Sequence, residues 1–383
     1  MPGFNGNRLR EMRVVRKMTL EQLAHSLGMT KQAVSKYEHG QSIPAPDTIN
    51  KMLSILDMPY KYLCKEDVSY NTESSVLFFR TMSSTTRGNI DYADIISRWG
   101  YEILSALEAP RANRFSLPDT NDNLTVSDKA LELRKHWGIG LLPIRNMTEL
   151  LENNGIFVFV VDTADLKTDA YSRIINEIPI IVLNKSKGTA VRWRFSLAHE
   201  LGHLFLHRGL SETEFALRNK ECEDEANLFA EYFLMPTDGF RNSVLATKLE
   251  HFIPLKKEWG VSIAAMLYHC KRIGLINLNR INSLQIQMSK QGWKKKEPLD
   301  DEFEFECPQL LEKVISEQVT DSNSFSSFYN SVRLPINEIE SLCSLPEGFF
   351  SAYAPEKETM ENVSGNPIYE QLSLFQKGGF NYA

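Results

Sequence analysis

The sequence is poor in cysteine and has no long run of apolar residues. Its five cysteines are scattered, odd in number and never spaced as CxxC, which is typical of reduced thiols rather than of a disulfide framework. The longest apolar stretches, such as residues 178–183, are far shorter than the roughly 20 residues that a membrane helix needs. The first residues lack the basic and apolar segments of a signal peptide. We therefore expect a cytoplasmic protein that has no contact with a membrane.

Length and charge predict more than one domain. The chain has 383 residues, of which 42% are hydrophobic and 24% are charged, as in globular proteins of two or three domains. Residues 1–65 carry ten Lys and Arg against five Asp and Glu, whereas the remaining residues carry 33 against 44. A basic module on an acidic body is typical of a polyanion-binding domain attached to a second unit.

The basic segment contains two short amphipathic helices that are joined by a glycine turn. Thr19 precedes the first helix, and Gln22 stands three residues later, at the second position of a capping box. That helix stops at Gly28, which suits a left-handed turn. Thr30 precedes the second helix, which ends before Gly40. Two short helices around such a turn predict a helix-turn-helix.

Residues 19–40, TLEQLAHSLGMTKQAVSKYEHG, resemble the Cro-type (XRE) repressor family. The resemblance implies that the second helix enters the major groove of double-stranded DNA. In that groove, lysine can donate a hydrogen bond to guanine, and glutamine can pair with adenine. It assigns a phosphate contact to Gln22 and base reading to Lys31, Gln32, Ser35 and Lys36. A homodimer on paired half-sites is expected. The alternative is a fold that serves only protein contact or dimerisation.

A second motif lies in residues 194–207, RFSLAHELGHLFLH, which are predicted to form a helix. His199 and His203 are four residues apart, so both imidazoles leave one face and can bind a single Zn²⁺. Glu200 is placed to act as a general base on a water molecule. A catalytic zinc site needs a third protein ligand as well.

The acidic start of the next predicted helix, residues 221–230, offers that third ligand. At about 100° per residue, Glu223 lies roughly 60° from the inward-facing Ala226, and Glu225 lies about 100° away on the other side. Glu223 is therefore the preferred ligand, and Glu225 is the fallback. Asn227, one turn after Glu223, is placed to orient a ligand by a hydrogen bond. The alternative is that these acidic residues simply favour a helix N-terminus.

Together, RFSLAHELGHLFLH and ECEDEANLFAEYFLMP resemble the ImmA/IrrE family of zinc metallopeptidases, as do PIIVLN and GVSIAAMLYHCKRIGLI on either side. The resemblance covers about residues 127–283. It implies a compact gluzincin-like peptidase whose relatives cut transcriptional repressors, in mobile-element, stress-response or toxin–antitoxin settings. His207 is interpreted as a helix-end residue. Tyr268 and His269 are interpreted as structural, with transition-state stabilisation as the alternative.

The C-terminal residues 355–383 are polar and predict a flexible tail. Within them, the segment QLSLF resembles the pentapeptide by which bacterial proteins bind the replication sliding clamp. The resemblance assigns partner binding to Gln371, Leu372, Leu374 and Phe375. The alternative is a tail that docks on its own domain through these apolar side chains.

We therefore predict a multidomain protein that is mainly α with a small β-sheet. Its predicted parts are an all-α helix-turn-helix domain (1–65), a helical connector (66–125), an α+β gluzincin-like metallopeptidase domain (126–283), a helical C-terminal region (284–354) and a flexible tail (355–383). The predicted function is a DNA-binding transcriptional regulator with a zinc-dependent endopeptidase that cleaves a protein such as a repressor. One alternative is a non-catalytic regulator or antitoxin whose zinc domain senses or scaffolds. Another is a replication-associated factor recruited through the tail.

Overall fold

The computed structural model describes residues 3–68, 76–79, 86–107, 115–118, 123–166, 168–186 and 188–353. Over these residues it is mainly α-helical, with one small mixed sheet, and so confirms the predicted fold class. None of the described helices is long and apolar enough to cross a membrane. The domain boundaries stay predictions.

Five short helices form the N-terminal region. They are α1 Gly6–Val15, α2 Leu20–Leu27, α3 Lys31–Glu38, α4 Pro46–Leu56 and α5 Tyr60–Leu63. Thr19 Oγ1 accepts a hydrogen bond from the Gln22 backbone at 3.1 Å, and Gln22 Oε1 accepts one from the Thr19 backbone at 2.8 Å. Gly28 then ends α2 in the left-handed conformation, with φ of 68°. These local interactions produce the predicted helix-turn-helix.

A four-stranded sheet lies at the centre of the chain. Its strands are β1 Phe78–Phe79, β2 Phe157–Val161, β3 Ala170–Ile175 and β4 Ile178–Asn184. The spatial order is β1-β3-β4-β2, in which β2 and β4 are parallel and the other two pairs are antiparallel. Strands β1 and β3 are not predicted from the sequence, because β1 has only two residues and the sequence of β3, AYSRII, mixes polar and apolar residues.

Both faces of this sheet are buried, which explains why β2 and β4 are apolar almost throughout. Phe159 and Val182 belong to a core that is shared with the N-terminal helices, with α6 (Arg87–Ala106) and with the last three helices. Those three are α16 Leu310–Gln318, α17 Ser322–Val332 and α18 Ile336–Leu342. Val158 and Ile181 belong to a second core on the opposite face.

The second core is built by helices that precede and follow the sheet. They are α7 Val126–His136, α8 Met147–Asn153, α9 Ala190–Leu206, α11 Asn219–Leu234, α12 Thr237–Ser243, α13 Phe252–Trp259, α14 Ile263–Arg272 and α15 Leu278–Lys290, with a 3-10 turn at Leu249–His251. Helix α10, Glu212–Leu217, instead buries Phe215 in a small third cluster with Phe78 and Cys222. The sequence suggests that α8 opens at Pro143. It begins at Met147, because the Asn146 side chain accepts a hydrogen bond from the Glu149 backbone at 3.0 Å and so caps the helix there.

The N-terminal helices are packed against the rest of the chain through a buried ionic cluster. Arg8 of α1 contacts Glu11 at 2.9 Å and Glu102 of α6 at 3.1 Å. Lys65 Nζ contacts the other carboxylate oxygen of Glu102 at 2.6 Å. Arg8, Glu11 and Glu102 are each at most 5% exposed. Because buried charges need partners, this cluster holds α1 against α6 in one arrangement.

Candidate metal centre

Two histidines on α9 form the base of the site. Thr189 caps the helix by accepting a hydrogen bond from the Arg192 backbone, and apolar residues from the second core surround the helix beyond it. His199 and His203 lie one turn apart, and each is 1% exposed. Their Nε2 atoms are 3.1 Å apart, so the two lone pairs converge on one point.

Helix α11 brings a carboxylate to the same point. Glu223 Oε2 lies 3.4 Å from His199 Nε2, and Glu223 Oε1 lies 3.4 Å from His203 Nε2. Gly202 makes this approach possible, because a Cβ there would stand 3.1 Å from the Phe229 ring and 3.2 Å from Ala226 Cα. A glycine between the two histidines therefore lets α11 pack closely enough for Glu223 to reach them.

The spacing of these atoms suits a tetrahedral divalent metal. One ligand atom from each of the three residues lies within 4.8 Å of the others. Ligands about 2.0–2.1 Å from a tetrahedral zinc are roughly 3.3–3.4 Å apart. The observed separations of 3.1 and 3.4 Å agree with that value. Two imidazoles and one carboxylate are the donor set of a zinc site that keeps an open position.

The protonation states also suit metal binding. Burial lowers the pKa of His203 to about 3, so its imidazole is neutral and offers a lone pair near pH 7. Burial opposes ionisation of Glu223, but the two imidazoles outweigh it and lower the pKa of Glu223 to about 2. The site therefore needs to lose no proton from these two groups before a cation binds.

Each histidine is oriented by its other ring nitrogen. With Nε2 directed at the metal position, His199 Nδ1–H donates to Asn227 Oδ1 at 3.1 Å. His203 Nδ1 lies 3.0 Å from His207 Nδ1, and His207 Nε2 lies 2.9 Å from Glu225 Oε2. One consistent proton placement runs along this chain, with His203 donating to His207 and His207 donating to Glu225. Such hydrogen bonds fix the tautomer and the ring plane of a ligand.

Glu200, which follows His199 in the sequence, is held in place by a residue of the sheet. Glu200 is 2% exposed, and its Oε2 accepts a hydrogen bond from Ser172 Oγ on β3 at 2.7 Å. Ser172 was missed by sequence reasoning, since a single serine in an unpredicted strand carries no recognisable signal. The contact fixes one oxygen of this predicted general base.

Other predicted residues lie elsewhere. The fallback ligand Glu225 contacts His207 rather than the His199–His203 pair. His269 is fully buried, and its Nδ1 lies 2.8 Å from Glu231 Oε1. Tyr268 is 54% exposed. Neither belongs to the group of converging ligands.

The predicted DNA-reading side chains lie on the outer face of α3. Lys31, Gln32 and Lys36 are exposed, and Ser35 is half-buried. Gln22 is exposed as well, although its Oε1 is engaged in the cap of α2. The helix is anchored from behind by Val34, which is fully buried. The predicted tail residues Gln371, Leu372, Leu374 and Phe375 lie outside the described residues, so the clamp-binding hypothesis stays a prediction.

Two segments of the chain match known families. Residues 9–63 match the helix-turn-helix family, and residues 151–271 match the IrrE N-terminal-like domain of the M78 peptidases. The second match includes α9, α11 and all three converging ligands. The first includes α2 and α3.

Three curated relatives share parts of the chain. A Bacillus subtilis protein named as an uncharacterized HTH-type transcriptional regulator, RghRB, is 42% identical over 59 residues, or 15% of this chain and 42% of that protein. The B. subtilis HTH-type transcriptional repressor RghR is 39% identical over 59 residues, or 15% of this chain and 44% of that protein. A Methanococcoides burtonii protein named as a putative HTH-type transcriptional regulatory protein is 28% identical over 181 residues, or 45% of this chain and 55% of that protein. The chain thus spans about half the length of the curated relatives it matches.

Proposed function

We propose that this protein, a helix-turn-helix transcriptional regulator that carries an IrrE-like M78 peptidase domain, is a zinc-dependent endopeptidase that acts on a protein such as a repressor. The observation that carries the proposal is the convergence of His199, His203 and Glu223 beside an oriented glutamate. A purely structural zinc site has no use for a base. Here Glu200 stands next to the first ligand, and its orientation is fixed by Ser172.

His199, His203 and Glu223 hold the ion, whereas Glu200, oriented by Ser172, transfers the protons. Zinc, when bound to His199, His203 and Glu223, supplies Lewis-acid chemistry that activates water and polarises a carbonyl. Glu200 accepts the proton of the water that attacks the peptide carbonyl carbon. When the C–N bond breaks, the same carboxyl group passes that proton to the leaving amine. Ser172 keeps the Glu200 carboxylate aimed during both transfers through its hydrogen bond.

DNA binding would deliver this activity to a chosen place. The exposed Lys31, Gln32 and Lys36 lie on the surface of α3, while α1 of the same domain is packed on α6. A protein bound to an operator would therefore carry the metal centre with it. The expected substrate is a protein that acts at or near that operator, and the expected form on DNA is a homodimer.

The test compares wild type with Glu200→Gln and, as a matched control, Asp224→Asn at an exposed acidic position of α11. Each zinc-loaded protein is incubated with a cell lysate that lacks it, and new protein N-termini are labelled and identified. Wild type and Asp224→Asn should produce the same cleavage sites. Glu200→Gln should keep its zinc and its DNA affinity but produce none of them, because it lacks the base.

Two outcomes would contradict the proposal. One is a wild-type digest with no more new N-termini than a chelator-treated sample. The other is an unchanged digest from Glu200→Gln. Either result would favour the alternative, a DNA-binding regulator whose metal domain senses or scaffolds without hydrolysis.

A further inference from the structure

A second group of metal-ligating side chains lies where the end of α9 meets the first turn of α11. It comprises His207, Cys222 and Glu225, whose imidazole nitrogen, thiol sulfur and carboxylate oxygen lie within 4.8 Å of one another. His207 and Cys222 are buried, and the Glu225 side chain is 33% exposed. We propose that these three residues form a second zinc site, distinct from the candidate centre and not dependent on peptidase activity.

The donor set selects the class of metal. A thiolate and an imidazole are ligands for zinc and similar borderline metals, whereas calcium and magnesium require oxygen donors. The candidate centre offers two imidazoles and a carboxylate but no sulfur. Cys222 therefore distinguishes the two sites chemically as well as spatially.

The second site is open on one side. Glu225 lines a surface pocket of about 720 Å³ together with Arg218, Glu221 and Asp224. An ion can enter from this pocket, and a water molecule from it can complete the coordination. Cys222 and His207 form the closed side, packed near Phe78 and Phe215.

Two features make this site weaker than the candidate centre. Cys222 binds a metal only as the thiolate, so an incoming ion must displace the thiol proton, which leaves to solvent. Arg218 Nη2 also lies 4.0 Å from Glu225 Oε2 and repels a cation. We therefore expect the second site to fill only after the first.

The hydrogen bond between His203 and His207 couples the two sites. When a metal occupies His203 Nε2, the proton of that ring is on Nδ1, and His207 Nδ1 accepts it over 3.0 Å. When a metal also occupies His207 Nε2, the His207 proton is on Nδ1 too, and two N–H groups face each other. Loss of a buried hydrogen bond in this way should weaken each site about tenfold when the other is filled.

Cobalt titration of the metal-free full chain tests the second site directly. Co²⁺ bound to nitrogen and oxygen gives visible ligand-field bands, whereas Co²⁺ bound to a thiolate adds a charge-transfer band in the near ultraviolet. The first equivalent should give only the visible bands, and the second should add the thiolate band. Cys222→Ser should lose the thiolate band and keep the first equivalent. Cys307→Ser, which removes an exposed thiol, should keep both.

Absence of the thiolate band at saturating Co²⁺ would overturn the second site, as would its persistence in Cys222→Ser. Circular dichroism checks the fold of that variant, because Cys222 is fully buried. Glu225→Gln changes a partly exposed position instead, and should weaken the second equivalent about tenfold or more.

His199→Ala separates the second site from the proposed function. It removes a ligand of the candidate centre, so the thiolate band should appear with the first equivalent of Co²⁺ and at about tenfold lower concentration. An unchanged concentration would contradict the coupling. A wild-type protein that shows the thiolate band but no site of nitrogen and oxygen ligands would contradict the proposed function and leave the second site standing.

Discussion

Helix α3 turns its predicted DNA-reading side chains to solvent, whereas α9 buries its predicted metal ligands and general base. Lys31 and Gln32 are exposed, and Val34 anchors the middle of α3 in the core. On α9, His199 and Glu200 are at most 2% exposed. Exposed polar groups are satisfied by water, so a reading helix needs little beyond its own backbone and anchor. Buried polar groups need a protein partner each, and α9 draws those partners from β3 and α11.

Buried charge at the junction of α1 and α6 gives the largest expected effect. Glu102→Ala should lower the free energy of unfolding by about 3–5 kcal/mol, because Arg8 and Lys65 would remain buried without this carboxylate. Urea denaturation followed by circular dichroism measures the change. A decrease in the free energy of unfolding of less than about 1 kcal/mol would show that the buried charges contribute no more than an exposed ion pair.

The DNA-reading face of α3 gives the second-largest expected effect. Replacing both Lys31 and Gln32 by alanine should lower the affinity for a specific duplex by about tenfold or more for each base that is no longer read, while leaving zinc content unchanged. Fluorescence anisotropy on duplexes selected from a random pool by the wild type measures this. Lys51→Ala, at an exposed lysine of α4, is the control for charge alone. An equal decrease in the control would assign the effect to general electrostatics rather than to base reading.

The orientation of His199 by Asn227 gives a smaller effect on the buried site. Asn227→Ala should weaken zinc binding by about 10–100-fold, since the hydrogen bond to His199 Nδ1 is removed. Competition with a chromophoric chelator measures the affinity, and Asp224→Ala on the exposed side of α11 is the matched control. Unchanged affinity in Asn227→Ala would mean that packing alone orients the imidazole.

Partly exposed ion pairs give the smallest effect. Asp91 contacts Arg10 at 2.6 Å, with side chains that are 22% and 44% exposed. Asp91→Asn should change the free energy of unfolding by less than about 1 kcal/mol. A decrease as large as that of Glu102→Ala, in the same urea experiment, would remove the distinction between exposed and buried charge at this junction.

The parts of the protein that depend on local periodicity and spacing could be predicted from the sequence. The capped helices α2 and α3 follow from Thr19, Gly28 and Thr30, because caps and left-handed glycines act on neighbouring residues. The converging ligands follow from helical spacing within α9 and from the inward face of α11. The role of Gly202 in letting α11 approach is visible only when both helices are in place.

The remainder depends on contacts between distant segments. Ser172 reaches Glu200 from a strand whose mixed sequence gave no strand signal. The separation of 2.9 Å between His207 and Glu225 depends on how α9 and α11 cross, which neither helix shows by its own sequence. The docking of α1 on α6 joins Arg8 to Glu102, which is far along the chain. Neither the composition nor the periodicity of the sequence indicates such pairs of distant residues.

The zinc content of the purified chain after dialysis against a weak chelator tests the three-ligand centre directly. All proteins compared carry Cys222→Ser, so that the proposed second site does not contribute, and this parent is measured beside its Glu223→Ala and Asp224→Ala derivatives by plasma mass spectrometry. We predict about one zinc per chain in the parent and in the Asp224→Ala derivative, and almost none in the Glu223→Ala derivative, because Glu223 is the carboxylate of α11 that lies against the two histidines. A parent without zinc, or a Glu223→Ala derivative that retains it, would contradict the three-ligand centre on which the proposed function depends.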